Sequence, residues 1–177
     1  MPMNCRKESR MDEPNTESDL QCWLGQHAPK LLLFARQKAR SEADAQDLVQ
    51  EAVVEALQRQ GNGRPPPLPL VFATIHRRAI DLARREDRRT NRELAAFDAT
   101  PDAWFDSRVE DRELQQLMQE AMSRMTEDFR EVVTLKVWGE MTFAEIAVAL
   151  GIPANTAASR YRYGLAELRR LTKEVLA

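Results

Sequence analysis

Apolar residues recur at helical spacing along most of the chain, which predicts a wholly helical protein. The pattern begins at about Asp19 and runs to Arg40, where Pro29 either divides it into two helices or opens the second one. A clearer helix extends from Ser41 to Gln58, and another from Leu70 to Arg89. Only short polar segments separate these stretches, so we expect them to pack into one small helical domain.

The C-terminal part has the same periodicity. Thr126 is predicted to cap a helix that ends near Gly139 and presents one apolar stripe, formed by Phe129, Val132, Val133, the Lys136 stem and Val137. A second cap follows, because Thr142 and Glu145 have the spacing of a capping box. Gly151 then suits a tight turn that needs a positive φ. The next helix is expected to bury Ala157, Tyr161, Leu165 and Leu168.

Residues 142–165 therefore have the pattern of a helix-turn-helix, whose second helix enters the DNA major groove. Polar side chains lie away from the apolar stripe of that second helix, and their types suit contacts with base edges and phosphates. We predict that this surface reads DNA through Asn155, Thr156, Ser159, Arg160 and Arg162.

Breaks in the pattern predict the domain organisation. Residues 1–18 are polar and expected to be disordered, and Gly61–Pro69 must be a loop because it holds two glycines and four prolines. Residues 92–109 are acidic and aperiodic, so we interpret them as a flexible linker, although Trp104 and Phe105 within it should dock on the protein. The predicted fold is all-α, with two small helical domains at 19–91 and 110–177.

Charge changes this picture in two places. Asp44, Asp47, Glu51 and Glu55 repeat at helical spacing and form an acidic stripe. Residues 71–92 hold seven arginines and three acidic residues, although the whole chain has a net charge of only -2. Such segregation of charge can indicate a binding surface, whereas either charged run taken alone is more simply interpreted as a solvated helix face.

Composition excludes several other classes. Two cysteines make no disulfide framework, and no cluster of cysteine and histidine has metal-ligand spacing. No apolar run is long enough for a membrane span, and the start does not read as a signal peptide, whether it is Met1 or Met11. We expect a cytoplasmic protein with no cofactor, no metal and no catalytic site.

Three segments resemble one family. Arg130–Arg169 (REVVTLKVWGEMTFAEIAVALGIPANTAASRYRYGLAELR) is similar to the promoter-reading domain of extracytoplasmic-function (ECF) sigma factors, in the sigma-70 family. Asp47–Leu57 (DLVQEAVVEAL) looks like the polymerase-binding helix of that family. Phe72–Glu86 (FATIHRRAIDLARRE) looks like its -10 helix. The three occur in the family's order within one chain, which makes the resemblance specific.

The resemblance implies that the N-terminal domain binds the clamp helices of the largest subunit of core RNA polymerase and helps to open the -10 element. The C-terminal domain would read the -35 element as duplex DNA, and an anti-sigma protein is an implied partner. By position, the polymerase contact falls on Asp47, Gln50 and Glu51. The base-capturing loop corresponds to Gly61–Pro69. The -10 contacts fall on Arg77, Arg78, Asp81, Arg84 and Arg85.

The chain departs from the family pattern at positions that should affect promoter preference. Ala158 stands where the recognition helix usually has a lysine, which removes one phosphate or base contact. Arg77 stands where asparagine is frequent, and Pro65–Pro67 changes the base-capturing loop.

Two other functions remain open from the residues alone. A helix-turn-helix regulator would bind a palindromic site as a dimer, whereas a sigma factor is monomeric and reads an asymmetric promoter. An enzyme such as a recombinase would need a catalytic constellation that the sequence does not present.

Overall fold

The computed structural model describes residues 16–61, 64–90, 104–105 and 112–176, and within them it has seven α-helices and no strand. The all-α prediction is therefore confirmed. The predictions for residues 1–15 and for most of the linker at 92–109 lie outside the described residues. The helices are α1 (Thr16–Arg36), α2 (Glu42–Gln60), α3 (Leu68–Thr90), α4 (Arg112–Ser123), α5 (Glu127–Val137), α6 (Phe143–Leu150) and α7 (Ala154–Leu176).

In the N-terminal half, α1 runs without a break through Pro29. Pro29 is exposed. It lacks the N–H that would bond the carbonyl of Gly25, four residues earlier in the helix. The helix α2 begins at its N-cap Ser41, which accepts a hydrogen bond from the Asp44 N–H at 3.1 Å. It ends at Gly61, which has a φ of 67°. The sequence predicted a helix from Ser41 to Gln58, so α2 continues two residues beyond the predicted end.

The helix α3 starts at Leu68, two residues before the predicted start, so the loop after Gly61 is shorter than expected. Pro69 lies in the first turn of α3. Backbone N–H groups in that turn have no partner within the helix, so the N–H that proline lacks costs no hydrogen bond. Phe72 and Ile75 are fully buried, and the Phe72 ring meets Phe34 of α1 edge-on at 5.4 Å between centroids. This contact joins α1 to α3, and buried residues of α2 such as Ala52 and Val53 complete the same core.

In the C-terminal half, two parts of the predicted core are wrong. Val137 is 45% exposed, while Leu135 is buried on α5. On α7, Leu165 is 39% exposed, and the buried position is Gly164. A Cβ added at Gly164 would lie 2.9 Å from Val133 Cγ2, so α7 approaches α5 too closely for a larger side chain. An apolar pattern cannot reveal a core position that is occupied by glycine.

Thr126 is the N-cap of α5, but its side chain makes no capping hydrogen bond, contrary to expectation. The docking predicted for Trp104 is confirmed, since its ring is buried. Its backbone N–H donates to Gln119 Oε1 at 2.8 Å, and Arg36 Nη1 donates to its carbonyl at 3.0 Å. This part of the linker therefore connects α1 with α4.

The two halves are in direct contact. One continuous cluster of buried side chains joins residues of α1, α2 and α3, such as Leu31 and Phe72, to residues of α5, α6 and α7, such as Val132, Ile146 and Ala157. The largest contacts between the halves are those of α3 with α6 and of α1 with α5. The structure is thus a closed arrangement, which the sequence did not predict.

Candidate functional site

The helix-turn-helix is formed by α6, the turn at Gly151 and α7. Glu145 Oε2 accepts a hydrogen bond from the Thr142 N–H at 2.7 Å, and Thr142 Oγ1 accepts one from the Glu145 N–H at 3.2 Å. The Thr142 N–H and the Thr142 hydroxyl both donate to the Glu145 carboxylate, and these two bonds lower the pKa of the Glu145 carboxyl. Gly151 has a φ of 65°, and the Ile152 N–H bonds back to the Ala147 carbonyl at 3.0 Å. The predicted capping box and turn are confirmed, and they set the direction of α7.

The candidate DNA-reading residues lie at the N-terminal end of α7. Asn155, Ser159 and Arg162 are exposed, while Thr156 and Arg160 are half-buried. Arg160 is held by an ion pair that the sequence did not predict: its Nη2 lies 2.6 Å from Asp128 Oδ2 in the first turn of α5. The reading surface therefore includes one arginine whose guanidinium is already oriented.

The acidic stripe on α2 divides into two parts. Asp47 and Gln50 are exposed, as a protein contact requires. Glu51 is also exposed but forms an ion pair with Arg78 of α3. Glu55 is more enclosed and was not among the predicted site residues.

Glu55 is the centre of an arginine cluster. Its carboxylate accepts from Arg78 Nε at 2.9 Å, pairs with Arg59 Nη2 at 2.7 Å and also pairs with Arg77. Burial alone would raise the pKa of the Glu55 carboxyl, but the hydrogen bond from Arg78 and the charges of the other two arginines hold it below its ordinary value. A partner 22 or 23 residues away on another helix gives no periodic signal, so sequence reasoning missed this role.

Most of the polymerase and -10 candidates, but not Gln50 or Arg84, line one groove. Its volume is about 380 Å³, and it lies between α2 and α3. Its charged lining from α2 is Asp44, Asp47 and Glu51, and its charged lining from α3 is Arg77, Arg78, Asp81 and Arg85. Arg84, the remaining -10 candidate, lines a second groove, of about 480 Å³, between α3 and α6.

A buried ionic cluster joins the halves near this second groove. Lys38, just after α1, forms an ion pair with Glu131 of α5 and lies 3.2 Å from Glu127 Oε1. His76 Nδ1 of α3 is 3.3 Å from Glu131 Oε1. Burial would raise the pKa of the Glu131 carboxyl, but the neighbouring His76 side chain and the Lys38 charge outweigh it and lower that pKa.

These features define a class: a helical DNA-binding protein that carries two candidate nucleic-acid helices, α3 and α7, and an acidic surface beside one of them. Across residues 16–61, 64–90, 104–105 and 112–176, every helix is too short or too polar to cross a lipid bilayer.

Comparison with known proteins identifies the family. The family model for Sigma-70 region 2 matches residues 23–89, and that for Sigma-70, region 4 matches residues 115–168. The RNA polymerase sigma factor CarQ of Myxococcus xanthus is 30% identical over 86% of this chain and 88% of its own length. The ECF RNA polymerase sigma factor SigK of Mycobacterium ulcerans is 31% identical over 58% of this chain and 57% of its own.

A solved structure agrees in fold. The sigma factor RpoE of Bartonella quintana, in complex with the anti-sigma factor NepR, has a TM-score of 0.73 and 22% identity and covers 88% of this chain and 98% of its own.

The chain belongs to the ECF type of the sigma-70 family. It binds core RNA polymerase and directs transcription initiation at promoters, a role that is not enzymatic in this family. This finding favours the sigma factor over the dimeric regulator.

Proposed function

We propose that the surface of α2 around Asp47, Gln50 and Glu51 binds the clamp helices of the largest polymerase subunit. The observation that carries this proposal is the exposure of all three side chains on one face of α2. Asp47 and Gln50 have no role in the protein core, so their exposed polar groups are available to a partner. This surface belongs to an N-terminal domain at residues 19–91.

The basic face of α3 would then bind the -10 element as an unpaired strand. Arg77, Arg84 and Arg85 are exposed, and Arg78 and Asp81 are half-buried beside them. Guanidinium groups suit phosphates and base edges, and single-strand binding combines such charges with captured bases. Opening of the duplex needs no catalytic chemistry by the chain, because the stabilised unpaired strand itself favours the open form.

The C-terminal domain, at residues 110–177, would place α7 in the major groove of the -35 element through Asn155, Thr156, Ser159, Arg160 and Arg162. The exposed N-terminal turns of α7 and the rigid turn at Gly151 support this docking, which is the usual one for a helix-turn-helix. Because core polymerase and promoters are cytoplasmic, we place the action of the protein there. We also propose an anti-sigma partner, by analogy with the complex of RpoE with NepR.

Charge reversal on α2 tests the polymerase contact. Asp47→Lys should weaken binding to sigma-free core polymerase at least about tenfold, because a like charge across an interface costs several kcal/mol. Asp19→Lys on α1 is the matched control, since Asp19 is also an exposed helical aspartate. Equal affinities of the two variants, measured by titration of labelled protein with core, would remove α2 from the interface.

A further inference from the structure

Two aromatic residues of the linker are held by the C-terminal half. Trp104 is 5% exposed and lies in a cluster with buried side chains of α4, α5 and α7. The guanidinium carbon of Arg130 in α5 is 5.4 Å from the centre of the Trp104 ring, which is a cation–π contact. The backbone N–H of Trp104 donates to Gln119 of α4, and the Phe105 ring lies 5.6 Å from the Trp138 ring after α5. Ring and backbone are thus both fixed to the same half.

The N-terminal half makes a smaller contact with this segment. Arg36 of α1 donates to the Trp104 carbonyl, and Leu33 of α1 belongs to the same cluster. Arg36 is also held by Glu42, to which its Nε donates at 2.7 Å. Loss of the α1 contact leaves a carbonyl that water can satisfy, whereas loss of the C-terminal contacts would expose a large apolar ring. The segment therefore stays with the C-terminal half when the two halves bind different promoter elements.

We propose that Trp104 and Phe105 anchor the linker to the C-terminal half, so that only residues 91–103 act as the tether between the two DNA-binding domains. The anchor is then a positioning element, which limits the distance between the -10 and -35 elements at which the protein initiates. The inference rests on the proposed placement of the two domains on these two elements.

The anchor shortens the tether by more than a third. After α3 ends at Thr90, the 13 residues from 91 to 103 span at most about 45 Å, whereas the 21 residues from 91 to 111 would span about 70 Å. The difference of about 25 Å corresponds to roughly seven base pairs of B-form DNA at about 3.4 Å per pair. Because a tether that cannot span its two sites gives an effective concentration near zero, release of the anchor should extend the range of spacers that are accepted.

The short connection after the anchor favours the anchored state. Only residues 106–111 separate Phe105 from Arg112, where α4 begins. This connection keeps the two aromatic rings close to their pocket, at an effective concentration on the order of mM. An insertion between residues 106 and 111 therefore enlarges a local loop, whereas an insertion between residues 91 and 103 lengthens the tether. The two insertions distinguish an anchored linker from a free one.

The test compares these two insertions in the full-length protein. A flexible segment of about twenty Gly and Ser residues is inserted between Ala95 and Ala96 or between Ser107 and Arg108. Each variant is mixed with core polymerase, and transcripts are measured from a promoter selected with the wild-type holoenzyme. A second copy of this promoter has a spacer longer by one turn of DNA, about 10 base pairs or 35 Å, which keeps both elements on the same face of the duplex. Wild type should produce at least about tenfold fewer transcripts from the longer promoter.

The readout is the ratio of transcripts from the two promoters, because misfolding lowers both alike. The insertion before Trp104 should restore most of the transcripts from the longer promoter, and the insertion after Phe105 should not. Trp104→Ala should make the second insertion as effective as the first, whereas Trp104→Phe, which keeps a ring in the pocket, should not. Equal ratios for the two insertions in the wild-type background would overturn the anchor, as would a wild type that accepts the longer spacer.

A separate control tests the proposed placement of the C-terminal domain. The -35 element of the shorter promoter is scrambled, and transcripts from the wild-type holoenzyme should fall at least about tenfold. An unchanged transcript level would contradict the -35 role itself. A fall in transcripts together with equal ratios for the two insertions would contradict the anchor alone.

Discussion

The candidate DNA-binding side chains of the two halves are held in place by different forces. The arginines of α3 are held beside α2 by ion pairs, because Glu55 and Glu51 together contact Arg77 and Arg78. The orientation of α7 depends instead on the capping box, the positive φ of Gly151 and the close approach at Gly164. One half orients its DNA-binding side chains by charge, and the other orients its whole helix by backbone geometry and packing.

The difference has a physical consequence for each half. Ion pairs between partly exposed groups are weak and screened by salt, so they permit the arginines to move when a nucleic acid arrives. Close packing and capped backbone groups respond little to salt, and a rigid helix suits the reading of duplex base edges. Substitutions in the two halves should therefore differ in the size and salt dependence of their effects.

The largest effect is expected at the contact between α7 and α5. Gly164→Leu should lower the free energy of unfolding by about 3 kcal/mol, because the new side chain overlaps Val133 and Phe129. Val133 is buried and β-branched, so it has little freedom to move. Urea denaturation measures the change. Gly25→Leu is the matched control, since nothing lies within 4 Å of a Cβ at Gly25, and it should lose no stability. Similar losses at both glycines would contradict the close approach of α7.

An intermediate effect is expected from Glu55→Gln. Loss of the charge that Arg59, Arg77 and Arg78 share should cost about 1–2 kcal/mol, since hydrogen bonds to charged groups are among the stronger ones. The rate of promoter-dependent initiation should fall by more than the loss of stability explains, because two of these arginines are -10 candidates.

Salt and pH distinguish this effect from general loss of structure. The pKa of the Glu55 carboxyl is lowered in the folded protein. The ionised carboxylate therefore contributes fully to the free energy of unfolding above the ordinary glutamate pKa of about 4.3, and this contribution is lost as the pH falls through the lower pKa of the folded protein. Wild type should thus lose stability in acid more steeply than Glu55→Gln. Parallel pH profiles of stability for the two proteins would argue against ionic positioning of the α3 arginines. A difference in stability between them that persists undiminished in 1 M salt would argue against it as well.

Local signals explain why most of the fold could be predicted. The capping box of α6 depends on neighbours within four residues, and it was found as expected. The family resemblance also followed from continuous segments. What could not be predicted depends on contacts across long separations, such as Lys38 with Glu131, or on a residue without a side chain, such as Gly164. The closed arrangement of the halves belongs to this second group.

The smallest effect sharpens the comparison on α7 itself, where one ion pair contributes to an otherwise packed site. Asp128→Asn should leave stability nearly unchanged, since Asp128 is exposed and such pairs contribute at most about 1 kcal/mol. If Asp128 orients Arg160 toward a base, the variant should bind the -35 element less tightly by about 1 kcal/mol and other duplexes equally well. Arg160→Ala should lose about 1–3 kcal/mol at the same element. In the double variant, Asp128→Asn should have no further effect. Additive losses in the double variant would mean that the Asp128–Arg160 pair serves the fold. Equal losses on every duplex would mean that Arg160 contacts the phosphate backbone. In either case the bases would be read by Asn155, Thr156 or Ser159.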